Sequence, residues 1–582
     1  MLELMTGNEA VARGAFEAGV HFAAAYPGTP STEILEALVK YEEIDAQWSP
    51  NEKVAMEVSI GAAIGGARTI VSMKHVGLNV AADPLFTSSY MGVNGGLVII
   101  TADDPGMHSS QDEQDNRYYA RFAKLPMLEP SNSQECKDYV ALAFTLSEEF
   151  DTPVLVRLTT RIAHGRSPVT LGERQKVAVK EYHRDIEKYI VLPAHARKLH
   201  PKVQDRMTRL EEYACNIPVN RMELRGTDLG IVTCGAAYQY VREACPGASV
   251  LKLGFTYPVP TALIRAFAGK VKELVVVEEL EPLLEEHIRG MGLEVKGKEL
   301  FTRFGELSTE IIRKGLGIKA EDAMSPEKDI PGRPPVLCPG CPHRGVFYNL
   351  NKLGAVVTGD IGCYTLGAMP PLSAMDTCLC MGASIGKALG LEKAQDREFA
   401  RRTVAVIGDS TFLHSGITGL MDVVYNHGTI TTVILDNGIT VMTGHQHNPA
   451  TGFTAKKAPA FKVDLEQLVR ALGVQRVRVV DAYDLDEVYK ALKEEMAAQE
   501  PSVVIARRPC ALILKRHSDK YSVGPECIGC KLCIRLGCPA IAMKDGFSEI
   551  NAQLCTGCGM CAQVCPRQAI TINEESKGDS RG

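Results

Sequence analysis

Short runs of aliphatic and β-branched residues recur along the chain with helical periodicity between them. They are GGLVIIT near 98, TPVLVRL near 155, DLGIVTC near 231, KELVVVEE near 275, RTVAVIGD near 405, ITTVILDN near 433 and PSVVIARR near 504. These runs are apolar without alternation. A strand that is apolar on both faces is one covered by helices on both sides, so each run predicts a buried parallel strand. The predicted fold class is α/β, built of parallel sheets flanked by helices.

Polar stretches divide the pattern. From about 166 to 226 the charged segments ERQKVAVKEYHRDIEKYI and HPKVQDRMTRLEEYACN contain no such run and read as helices and linker between two α/β domains. Residues 319–335, KAEDAMSPEKDIPGRPP, are polar and proline-rich, which disfavours helix and sheet alike and marks an exposed boundary. A third break near 516–525 precedes a cysteine-dense tail. The expected domains are 1–165, 226–320, 333–515 and 520–575, with a helical linker at 166–225.

Several domains suit 582 residues, which exceed what one core holds. A net charge of −6 gives no basic surface for a nucleic-acid backbone, so nucleic acid is not an expected partner. The N-terminal MLELMTGNEAVARG lacks the basic and apolar regions of a secretory signal, and no apolar run reaches bilayer length. Neither export nor membrane insertion is expected, and the default location is the cytoplasm. In that reducing compartment, 18 cysteines point to metal ligation or catalysis rather than disulfides.

Spacing decides between those uses in the tail. Cys527, Cys530, Cys533 and Cys538, followed by Pro539, precede Cys555, Cys558, Cys561 and Cys565, followed by Pro566. In two-cluster ferredoxins, close CxxC steps present three thiolates to one four-iron cubane, and the distant cysteine beside proline ligates the other. Cys527, Cys530, Cys533 and Cys565 are therefore expected to hold one 4Fe-4S cluster, and Cys555, Cys558, Cys561 and Cys538 a second. The first repeat has an insertion near Arg535 to Gly537 that leaves this set intact. Structural zinc is the competing use of CxxC pairs; eight cysteines in two interlocking sets favour clusters.

AVIGDSTFLHSG at 405–416 places Gly408, Asp409 and Ser410 at a strand end, and Asp436, Asn437 and Gly438 end the next strand. Ligands bind at such C-terminal edges. Mg2+ bridging phosphates needs oxygen ligands, which Asp409, Asn437 and the carbonyl of Ile439 can supply, while Gly408 is expected to let backbone approach the phosphates. The pair resembles the thiamine-diphosphate motif, GDG followed by NN, with Ser410 and Asp436 as departures. Plain strand ends carry the same pattern.

YPGTPSTE at 26–33, followed by NEKVAMEVSIGAAIGGAR, is similar to the YPITPST segment opening the pyrimidine-binding domain of 2-oxoacid:ferredoxin oxidoreductases. Thiamine enzymes need one carboxylate against the aminopyrimidine ring to promote ionisation of the thiazolium carbon. Glu52 is the first candidate and Glu57 its rival, and a solvated acid at a helix start is the alternative. RPPVLCPGCPHRG at 333–345 resembles the CPGC segment of the same family, where a proximal cluster is often held. Cys338 and Cys341 would be joined by Cys363 and Cys510 around a third cluster. Cys378 and Cys380 are alternative ligands or buried thiols, and Cys136, Cys215, Cys234 and Cys245 are expected in cores.

The order of these segments, with KHVGLNVAADPL, LCPGCPHRG and GDSTFLHSG, makes the whole chain resemble the large subunits of indolepyruvate ferredoxin oxidoreductases. That resemblance implies a transketolase-C-like domain over 226–320 and a dicluster ferredoxin domain at the end. It implies oxidative decarboxylation of an arylpyruvate with coenzyme A to an aryl-acetyl-CoA, carbon dioxide and reduced ferredoxin. It also implies a smaller beta subunit as partner, in a heterodimer or a dimer of heterodimers. By the same resemblance Thr29 contacts the substrate carboxylate. His75 and His414 are candidates for proton transfer or substrate contact, with structural hydrogen bonding as the alternative. Phenylpyruvate or a branched-chain oxoacid as substrate, and a non-catalytic electron-transfer subunit, are the alternatives.

Overall fold

The computed structural model describes residues 1–319, 330–514 and 519–573. They form two compact units, Met1–Pro326 and Glu327–Gly582.

In the first unit a seven-stranded sheet runs, in spatial order, Phe255–Tyr257, Met127–Leu128, Val154–Thr159, Leu97–Asp103, Thr69–Lys74, Phe22–Ala25 and Asp45–Trp48. Neighbours are parallel except Phe255–Tyr257, which is antiparallel to Met127–Leu128. Val98, Ile100, Val154 and Val156 enter one core, and Leu97, Ile99 and Leu155 the other. Both faces being covered is why the sequence shows no polar alternation there. A second sheet orders Glu273–Val277, Leu229–Cys234, Ser249–Leu253 and Arg221–Glu223, the last antiparallel to its neighbour.

One buried ion pair joins these two sheets' domains, Arg117 with Glu278 at 2.5 Å. Within the first, Arg117 meets Asp115 at 2.6 Å, and Arg157 meets Asp103 at 2.7 Å and Glu129 at 2.6 Å. Removing one member of such a pair strands a charge, at a cost of about 3–5 kcal/mol.

The span 166–225 is not helix and linker throughout. Arg166–Thr170 is a strand, antiparallel to Leu2–Thr6, and only Val169 of its five residues is buried. A lone buried position leaves no apolar run to find. Helix Pro193–Asn216 matches the expectation, but Arg221–Glu223 already belongs to the following sheet. Phe255–Tyr257, expected within the 226–320 domain, completes the edge of the first sheet instead.

The second unit contains a parallel sheet ordered Val356–Thr358, Thr403–Gly408, Thr431–Asp436, Ser502–Arg507 and Arg476–Asp481. Val404, Val406, Val433 and Val504 face one core, and Ala405, Ile407, Ile434 and Ile505 the opposite one. The tail adds two antiparallel pairs, Tyr521–Val523 with Ile570–Ile572 and Ile541–Lys544 with Phe547–Ile550. Among the described residues no helix is long and apolar enough to cross a membrane.

Candidate active site

The first unit's parallel strands bring the candidate residues to one sheet edge. Phe22–Ala25 leads into Tyr26–Thr29, Asp45–Trp48 into Glu52, and Thr69–Lys74 into His75. Such a carboxyl edge is where open α/β sheets bind ligands. Thr29 is half-buried, in a turn where the amide of Gly28 donates to Thr32 Oγ1 at 2.9 Å.

Glu52 begins helix Glu52–Ile64, whose N-cap Asn51 accepts from the amide of Val54. It is 5% exposed. A Cβ at Gly77 would come within 2.7 Å of its carboxylate, so the glycine makes room for Glu52. Glu57, one turn on, is exposed and pairs with Lys53. Of the two candidates only Glu52 is withdrawn from bulk water. Nearby Lys74 is buried and donates to the carbonyl of Ser109 at 2.6 Å. Burial lowers its pKa, against the opposing pull of Asp104, Asp112 and Glu52.

His75 is fully buried, because the strand Thr69–Lys74 turns directly into helix His75–Val80 and aims the ring inward. Burial lowers its pKa. His414 is likewise buried, its Nδ1 against Ser415 Oγ in a π-helical turn.

In the second unit, adjacent strands Thr403–Gly408 and Thr431–Asp436 end side by side. Asp409 Oδ1 accepts from the amide of Ser410 at 2.8 Å, and Oδ2 from that of Gly438 at 3.0 Å. Asn437 Oδ1 accepts from the amide of Ile439 at 3.1 Å, and Ser410 Oγ accepts from Thr440 Oγ1 at 2.8 Å. Asp409 is 3% exposed, and no cationic side chain pairs with it among the described residues. Burial, with Asp436 adding repulsion, pushes its carboxyl up to about 7. A buried acid whose neighbour is another acid is a site that a cation would relieve, which fits Mg2+.

A side chain at Gly408 would strike the Tyr364 ring at 2.7 Å, so the packing there requires glycine. Tyr364 in turn donates to the carbonyl of Ile361 at 2.9 Å.

The cysteines group into three cavities. Cys338, Cys341, Cys363 and Cys510 line one, walled also by His343 and Asn437. Burial pushes the Cys341 thiol up to about 12 and that of Cys363 up to about 11, with neighbouring thiols adding to both. Four thiols facing one space, those of Cys341 and Cys510 buried, are costly as thiolates unless cationic metal occupies it. Cys538, Cys555, Cys558 and Cys561 line a second cavity, and Cys527, Cys530, Cys533 and Cys565 a third. The grouping is the interlocked one that the spacing predicts. Among the described residues no three His, Cys, Asp or Glu side chains are placed to hold a single metal ion.

Cys378 and Cys380 are exposed and line none of these cavities. Cys136, Cys234 and Cys245 are buried as expected, and Cys215 is partly exposed.

The segment between Cys338 and Cys341 separates two of the cavities. Pro339 and Gly340 wall the one lined by Cys558. Gly340 has a φ of +66°, and a Cβ there would meet Thr556 Oγ1 at 2.1 Å, so both its conformation and the close approach require glycine. Tyr483 donates to the Gly340 carbonyl at 2.6 Å.

Sequence reasoning missed His343, Tyr364 and Asp360. Asp360 accepts from the amides of Gly382 at 2.8 Å and Ser384 at 3.1 Å, at the start of helix Ala383–Ala394. The only available signal was its place after a short strand in GDIGC.

Three family descriptions match the chain. Residues 13–214 match the thiamine-diphosphate-binding region of pyruvate flavodoxin/ferredoxin oxidoreductases. Residues 360–506 match the C-terminal TPP-binding domain of thiamine pyrophosphate enzymes, and 548–571 a 4Fe-4S binding domain. The indolepyruvate oxidoreductase subunit IorA of Archaeoglobus fulgidus is 42% identical over 97% of this chain and 97% of its own. That of Pyrococcus horikoshii is 41% identical over 97% and 96%, and that of Methanothermobacter thermautotrophicus 40% over 99% and 97%. With thiamine-binding and 4Fe-4S segments matched along it and about 40% identity over nearly its whole length, this chain belongs to the family of indolepyruvate oxidoreductase subunits IorA.

Proposed function

We infer that the chain is the catalytic subunit of an enzyme that oxidatively decarboxylates arylpyruvates, indolepyruvate foremost, with coenzyme A. The products are an aryl-acetyl-CoA, carbon dioxide and reduced ferredoxin. The observation that carries this reading is the near-full-length identity to subunits named for indolepyruvate. When bound, thiamine diphosphate supplies the electron sink for loss of carbon dioxide, and 4Fe-4S clusters supply one-electron storage.

The chain's own residues divide the work. Asp409, Asn437 and the Ile439 carbonyl hold Mg2+ on the diphosphate, with Ser410 beside them. Glu52, buried against Gly77, supplies the carboxylate for the aminopyrimidine. Thr29, on the same sheet edge, offers its hydroxyl to the substrate carboxylate. Cys338, Cys341, Cys363 and Cys510 hold a proximal cluster, and the two tail foursomes hold two more. A smaller beta subunit completes the enzyme, as a heterodimer or dimer of heterodimers.

The test is an anaerobic assay of the chain with its small subunit, following coenzyme-A-dependent reduction of ferredoxin. Indolepyruvate and phenylpyruvate should give the highest kcat/KM. Turnover confined to aliphatic or branched-chain oxoacids would overturn the aryl assignment, and failure to bind thiamine diphosphate with Mg2+ would leave only an electron-transfer subunit.

A further inference from the structure

Arg344 follows the cysteine loop directly, in helix His343–Leu353, and is 1% exposed. Its guanidinium is gripped from two sides. Nη2 donates to the carbonyls of Leu337 at 2.7 Å and Cys338 at 2.9 Å, and Nη1 to the carbonyl of Leu536 at 2.7 Å, two residues before Cys538. Those bonds fix its position but bring no negative charge. Among the described residues no carboxylate pairs with Arg344, and its buried Nε has no hydrogen-bond partner. A guanidinium does not shed its proton, and a buried charge without a counter-charge is strongly unfavourable.

The surroundings indicate where the counter-charge comes from. Arg344 walls the cavity of Cys538, Cys555, Cys558 and Cys561. Leu337 and Cys338, whose carbonyls its Nη2 holds, line the cavity of Cys341. The residue thus stands between the cavity of Cys341 and the cavity of Cys558. A cubane held by four thiolates is net anionic and gains one more negative charge on reduction, so a fixed cation beside it favours the reduced form.

We propose that Arg344 is the buried counter-charge of the cluster held by Cys538, Cys555, Cys558 and Cys561, its Nε–H donating to a sulfur of that cluster. It is a positioning and tuning residue that makes this cluster the acceptor for electrons leaving the Cys338–Cys341 side. Each transfer moves one electron, oxidising the proximal cluster by one and reducing the acceptor by one, with no proton moved. The tail cluster at Cys527, Cys530, Cys533 and Cys565 is then the outer one, which reduces ferredoxin. The proposal rests on the reading that these foursomes hold clusters.

The test uses the anaerobic holoenzyme, iron content and redox titration followed by electron paramagnetic resonance. Cys558→Ser and Cys530→Ser first mark which signal belongs to which tail cluster. In Arg344→Gln with full iron, the reduction equilibrium of the Cys558-marked signal should fall at least about tenfold, ~59 mV for one electron. The Cys530-marked signal should stay in place, and Arg344→Lys should recover part of the shift. Full iron with no shift, or a shift of the Cys530-marked signal alone, overturns the proposal. If Arg344→Gln loses iron at the Cys558 cluster, Arg344→Lys decides: retained iron supports the charge, and equal loss overturns it in favour of a purely structural role. Wild-type protein without iron in these foursomes overturns the underlying cluster reading itself, before any variant is compared.

Discussion

Asn437 Nδ2 lies 3.3 Å from Nε2 of His343, and His343 is two residues from Cys341. Burial lowers the imidazole's pKa to about 4, so the ring is neutral and Nε2 is free to accept from the amide. That bond orients Asn437 with its Oδ1 on the side of Ile439. One histidine therefore couples the loop of the proximal cysteines to the candidate Mg2+ ligand. His343→Leu should weaken Mg2+–thiamine diphosphate binding about 10- to 100-fold, as loss of an outer partner of a ligand does. Calorimetric titration of the cofactor checks this; unchanged affinity would remove His343 from the orienting role.

Glu52 and Glu57 separate cleanly by environment. Glu52→Gln should lower kcat by about 10²- to 10⁴-fold, the usual worth of a general acid–base group, while the diphosphate end still binds. Glu57→Gln loses only an exposed pair with Lys53, worth about 0.3–0.5 kcal/mol, and should leave turnover within about twofold. Steady-state kinetics on both variants decide, and equal effects would refute the assignment.

Iron content distinguishes the three cavities. Wild-type protein purified without oxygen should carry about twelve irons per chain, four per cubane. Cys341→Ser should lower this to about eight, and Cys378→Ser should not change it, because Cys378 lies off the cavity wall. About eight irons in the wild type would restrict the clusters to the tail.

Glu279 gives a pH signature in the first unit. Burial raises its carboxyl to about 7, with the amide of Leu307 at 3.2 Å as a compensating donor. Between its ordinary value near 4.5 and about 7, the folded state holds a proton that the unfolded state has lost. Stability contributed by Glu279 is therefore full below pH 4.5 and falls as pH rises toward 7. Glu279→Gln should be more stable than wild type at pH 8 by up to about 3 kcal/mol, and near equal at pH 4.5. Thermal unfolding at the two pH values measures it; a variant less stable at both would show that the carboxylate is needed.

Much of the fold was legible because buried parallel strands write themselves as uninterrupted apolar runs. Leu97–Asp103, Thr403–Gly408 and Thr431–Asp436 all appear where their runs predict. Edge strands did not show. Arg476–Asp481 alternates arginine with valine, since Arg476 and Arg478 reach out to Glu495 and Glu494, and Asp45–Trp48 is only partly buried. In the candidate site, the cysteine groupings followed from spacing, because neighbouring thiolates on one loop face one cluster. His343, Tyr364 and Arg344 were not legible, since their roles come from contacts across the fold that no local pattern records. The burial of His75 was not legible for the same reason: its place at a strand end says nothing of which way its ring points.

The tail is held against its own domain by side chains as well as by the chain that joins them. Gln563 accepts from the amide of Leu485 at 2.9 Å and donates to the Tyr483 carbonyl at 2.8 Å, and Met560 packs where a side chain on Gly345 would stand. A ferredoxin module anchored in this way is no shuttle. It works like a fitted socket rather than a swinging arm, so under the proposed function an external carrier must travel to it.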